Sequence, residues 1–123
     1  MDILLYVTIA LLISIGCAHS YLGEKYILTR LFRLDNLPKL FGSDEFTKKT
    51  LRFAWHITTI AWFGFAGIVL QLTEATLNKT HVAYIISFTF LLHFLVALIG
   101  SKGKHLSWIV FLLICLGVFN STI

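Results

Sequence analysis

Four of the five histidines in this chain recur at corresponding places in its apolar runs. His19 stands near the end of the first run and His56 near the start of the second. His93 comes late in the third, and His105 opens the fourth. If successive runs are antiparallel helices, these four positions meet at one end. Imidazole is a common ligand for zinc, copper and iron and changes charge near neutral pH. In hydrocarbon it is costly unless paired, liganded or wetted. The expectation is a shared site of His19, His56 and His93, with His105 as a fourth metal ligand and Glu24 and Arg52 beside them. It would hold a zinc, iron or copper ion. Alternatively, His56 with His19 or His93 supplies the axial pair of one haem b, with Arg52 against a propionate. The sequence has no HExxH or CxxC, so this expectation rests on position across four segments.

The elements that must carry these residues are apolar helices. Of the 123 residues 58% are hydrophobic and 13% charged, whereas a soluble domain carries roughly 25% charged residues. Spans are expected at about 3–21, 53–72, 81–99 and 106–121, joined by a cytoplasmic amphipathic connection over 22–52. Each of the first three approaches the roughly 20 residues that cross a bilayer core. The fold class that follows is all-α: an integral membrane four-helix bundle of antiparallel up-down topology, forming a single domain over 1–123.

Orientation follows from the basic residues. Lys25, Arg30, Arg33, Lys39, Lys48, Lys49 and Arg52 lie in the first connection, Lys102 and Lys104 in the third, and Lys79 alone in the second. The positive-inside rule then puts the first and third connections in the cytoplasm and both termini outside, most simply in a bacterial inner membrane. The net charge of +4 favours anionic lipid headgroups, and no groove-reading or base-stacking pattern points to nucleic acid. Within the connection, Leu22, Tyr26, Leu28, Leu31 and Phe32 alternate with basic residues, suiting an interfacial helix. Asp35-Asn36-Leu37-Pro38 reads as a break, and Ser43 or Asp44 as the cap of a helix running into the second span. Ser101-Lys102-Gly103-Lys104 reads as a tight hairpin.

Helical spacing groups Gly16, His19 and Gly23 on one face of the first span, and Cys17, Ser20 and Glu24 on another. Glu24 therefore approaches His19 only if the helix bends near Gly23. Arg52, His56, Thr59, Phe63 and Gly67 share a face of the second span; Trp55 is expected at interfacial depth. Thr89, His93, Ala97 and Gly100 align in the third. Small residues on these faces suit close helix packing and self-association. Cys17 and Cys115 fall at different depths and are not expected to pair.

No Ser-His-Asp set, nucleotide loop or paired intramembrane carboxylates occur. Three functional classes remain. The first is a metal or haem site at the cytoplasmic end, serving redox chemistry, metal handling or an accessory role. The second is a homo-oligomeric small transporter or channel whose histidines couple or gate protons. The third is a structural subunit of a larger membrane complex.

Overall fold

The computed structural model describes residues 2–123, which are helical throughout apart from their connections. Helix α1 (Asp2–Leu22) does not stop where the expected span ends. Its hydrogen bonding switches to the wider π pattern over Gly23–Leu28 and returns to α in the short α2 (Thr29–Leu31). The result is one rod of 30 residues. A π turn accommodates one extra residue and so rotates everything beyond it. It begins at Gly23, where any Cβ would overlap the Trp55 indole of the neighbouring helix.

Only residues 32–44 of the long connection are non-helical. They end in a tight turn: Leu40 N–H donates to the Ser43 carbonyl at 3.0 Å. Phe41 and Gly42 take φ of 58° and 85°, the paired left-handed residues of a type I′ turn. Helix α3 (Glu45–Gln71) starts at once, as the Ser43-Asp44 signal implies. Ser43 Oγ accepts the Glu45 N–H at 3.3 Å. Ion pairs Asp44–Lys48 and Glu45–Lys49, both 2.9 Å, bind the first turn, with acidic groups at the positive end of the helix dipole. The helix thus begins two turns before residue 53.

Asn78 caps α4 (Lys79–Gly100) by accepting the N–H groups of Thr80 and His81 at 2.9 and 3.2 Å. The hairpin to α5 (Ser107–Asn120) turns through Lys102 and Gly103, at φ 51° and 76°. There the Gly103 N–H closes on the Leu98 carbonyl at 2.8 Å. Helix α5 has 14 residues and is about 21 Å long, short of the roughly 30 Å hydrocarbon core.

The helices pack in series. Gly16 lies against Phe63 and Gly23 against Trp55, joining α1 to α3. Gly67 lies against Ile85 and Gly100 against Phe53, joining α3 to α4. Tyr84 faces Phe119, and His93 faces Phe111, joining α4 to α5. Along each interface numbers fall on one helix as they rise on the next, so consecutive helices are antiparallel. Among the described residues, α1 makes no Cα approach within 8 Å to α4 or α5, nor does α3 to α5. The chain forms an open row of four helices whose ends do not meet. Its hydrophobic core is slight, comprising Leu28, Phe53, Ala66, Ala97 and Cys115, while large apolar residues such as Ile3, Leu11, Phe65 and Leu113 face outward. Three of the helical rods are long and apolar enough to cross a membrane. Outward apolar surface of that extent suits lipid as solvent.

Candidate functional site: a polar chain between the first two long helices

The polar side chains between α1 and α3 follow helical repeats from both sides. Gly16, Ser20 and Glu24 recur every four residues on α1 and its π extension. Arg52, His56 and Thr59 recur at four and three on α3. Antiparallel packing interleaves the two rows. Arg52 grips Glu24 with two parallel contacts, Nη2 to Oε1 at 2.8 Å and Nε to Oε2 at 3.2 Å, the bidentate geometry that suits a guanidinium and a carboxylate. Glu24 Oε2 also lies 3.1 Å from His56 Nε2. On its other side His56 Nδ1 lies 2.9 Å from Ser20 Oγ. Ser20 Oγ is 2.5 Å from Thr59 Oγ1, and the Thr59 hydroxyl donates to the Gly16 carbonyl at 3.1 Å. The chain runs from exposed Arg52, through partly buried Glu24 and His56, to buried Thr59.

Counting protons along this chain decides what it can do. The Glu24 carboxylate and the Gly16 carbonyl can only accept, so His56 Nε2 and Thr59 Oγ1 must each donate outward. Two contacts remain, His56–Ser20 and Ser20–Thr59. With His56 neutral, the single Ser20 hydroxyl proton must serve both, and one is left without a hydrogen. With His56 doubly protonated, Nδ1–H donates to Ser20, Ser20 donates to Thr59, and Thr59 donates to Gly16. Every contact then has its proton. The geometry therefore fits the imidazolium, whose charge is shared with Glu24 and offset by it.

The other histidines are placed separately. His19 and Trp55 form a reciprocal latch: the His19 Nε2–H donates to the Trp55 carbonyl at 3.2 Å, and the Trp55 Nε1–H donates to the His19 carbonyl at 2.9 Å. Their rings stack at 4.5 Å with planes 1° apart, and Trp62 meets His19 edge-on at 5.0 Å. His93, 6% exposed, donates from Nδ1 to the Thr89 carbonyl at 2.8 Å and packs against Phe90 and Phe111. His105 sits in the hairpin two residues before α5, where its Nδ1 lies 2.8 Å from Ser107 Oγ, and it packs on Phe46 and Phe53.

The expected convergence of His19, His56 and His93, with His105 as a fourth member, is thus not what the fold produces. No group of three or more His, Cys, Asp or Glu among the described residues is arranged to hold a metal ion. The physical reason is the open row. His19 and His93 stand on α1 and α4, which do not touch in the row, and His56, although α3 packs on α4, makes its polar contacts toward α1. Glu24 stands beside His56 and Arg52. Trp55 is not a free interfacial anchor but the partner of His19. Ser20 and Thr59 complete the site. Their signal was present in the sequence as hydroxyls four residues before Glu24 and three after His56.

Fold and site define the class: an all-α protein with three helices suited to crossing a membrane and a histidine-centred polar chain between the first two. Comparison with protein-family models, curated proteins and solved structures finds no match, so that class rests on the residues alone.

Proposed function

We propose that this is a small proton-responsive membrane protein, a transporter or channel in which His56 couples or gates. The observation that carries the reading is the proton count across His56, Ser20 and Thr59. An imidazole changes charge within the physiological range, and here that change adds or removes one hydrogen bond between two long helices. The chain ends at a backbone carbonyl rather than continuing across the protein. It therefore takes up and returns a proton at one side, acting as a switch between helices. On this reading that end, surrounded by basic residues, faces the cytoplasm, with both termini outside and a bacterial inner membrane as the simplest setting.

The remaining features of the reading concern assembly. A row of helices with a slight core and apolar outer faces is suited to joining further copies, so that a closed four-helix or larger bundle forms between chains. A shared metal or haem site loses its main support, since the imidazoles that would form it are individually occupied. The test needs no substrate. Proteoliposomes on a solid-supported electrode are stepped from about pH 8 to about pH 6, and the displaced charge is recorded. Wild-type protein gives a larger transient current than His56→Asn protein. Equal currents from the two proteins would overturn the proposal.

A further inference from the structure

Beside the polar chain, a groove of about 400 Å³ opens between α3 and α4. Lys49, Arg52 and His56 line it from α3, while Leu95, Val96 and Ile99 line it from α4. It lies at the helix ends that carry the basic residues, and Phe53 and Gly100 meet there closely, since a Cβ on Gly100 would lie 2.8 Å from Phe53 Cβ. We infer that this groove binds one anionic phospholipid, its phosphate at Lys49 and Arg52 and one acyl chain along Leu95, Val96 and Ile99.

Charge complementarity selects this occupant. Basic pockets between membrane helices at the cytoplasmic face suit acidic headgroups. Both cations already have a carboxylate partner, but neither is used up. Lys49 pairs with Glu45 four residues earlier in a well-exposed contact that costs little to exchange. Arg52 engages Glu24 through Nε and one terminal nitrogen, so donors remain on its five-hydrogen fork. Lys102 and Lys104 of the hairpin add positive charge at the same end. The α4 wall continues outward through Ile99, which is 72% exposed and would lie against an acyl chain. Lysine can lay its methylene stem along such a wall and keep its ammonium at headgroup level.

The experiment is native mass spectrometry of the detergent-solubilised full chain with dioleoyl phosphatidylglycerol or dioleoyl phosphatidylcholine. One phosphatidylglycerol is retained in preference to phosphatidylcholine. Lys49→Ala weakens that retention about fivefold, the scale expected for one basic residue at a lipid surface. Arg33→Ala, on the basic connection but away from the groove, leaves it unchanged. Val96→Phe fills the groove and lowers occupancy by both lipids. Ile99→Ser, at an exposed position that tolerates change, weakens the acyl contact even if Val96→Phe does not fold. Equal retention of the two lipids would overturn the inference. So would equal losses from Lys49→Ala and Arg33→Ala, which assign the effect to the basic belt as a whole. Competition by glycerol phosphate alone would show a headgroup site without the acyl contact, and would equally overturn it.

Discussion

Replacing Ser20 with alanine removes the residue through which the protonation of His56 reaches Thr59. In the protonated state Ser20 makes two complete hydrogen bonds, at 2.9 Å to His56 and 2.5 Å to Thr59. Each is worth about 1 kcal/mol net, so the loss at about pH 5 is roughly 2 kcal/mol. With His56 neutral only one of the two contacts has a hydrogen, and the loss at about pH 8 falls to roughly 1 kcal/mol. The sign follows from which state completes the chain. The extra bond belongs to the doubly protonated imidazole and is lost with its second proton. Unfolding in mixed micelles, followed by tryptophan fluorescence at both pH values, measures the two losses. Ser20→Ala leaves every other histidine in place, so the difference between the losses isolates the His56–Ser20–Thr59 coupling. A Ser20→Ala cost that is equal at both pH values, or larger at pH 8, would refute the proton count.

Two further outcomes follow from the helix contacts. Gly23→Ala should force Trp55 away from α1 and break the His19 latch, costing roughly 1–3 kcal/mol as an overpacked site; a red-shifted tryptophan emission would report the displaced indole, and an unchanged spectrum would contradict the close approach. His93→Phe should cost under about 1.5 kcal/mol, because the ring already packs among aromatic residues. It should also leave the pH dependence of the Ser20→Ala cost intact, whereas a large change in that dependence would implicate His93 in the switch.

How far the sequence reveals this arrangement differs between backbone and side chains. The apolar runs mark the helices, Ser43-Asp44 marks the start of α3, and the 101–104 hairpin and the short last helix are legible from residue type. These features depend on local physics: hydrogen bonding within a segment, capping, and the length of apolar surface. The partner of each imidazole depends instead on helix rotation. His19 and Ser20 are adjacent, about 100° apart around the helix, and spacing alone does not say which of them meets His56. Gly16 and Gly23 decide it by admitting Phe63 and Trp55. That choice leaves His19 stacked on the indole and turns Ser20 toward His56. Glu24, four residues beyond Ser20 on the same face, then meets the same imidazole. Packing against a particular neighbour sets these rotations, and helical spacing within one segment does not contain it. His93 shows the same limit. Its level along α4 is readable, but the absence of contact between α1 and α4 is a property of the whole row.

That row also implies an order of assembly. Each interface joins a helix to the one made immediately before it, so no contact between helices has to wait for the end of the chain to return to its beginning. The α1–α3 pair, with its latch and polar chain, can form while α4 and α5 are still being synthesised. Local contacts of this kind favour fast folding, and stability approximates a sum of nearest-neighbour terms, as it does in repeat proteins. Damage to the α4–α5 interface would then loosen the last helix while the α1–α3 pair stayed intact. The polar chain belongs to the part of the molecule that can form first and open last.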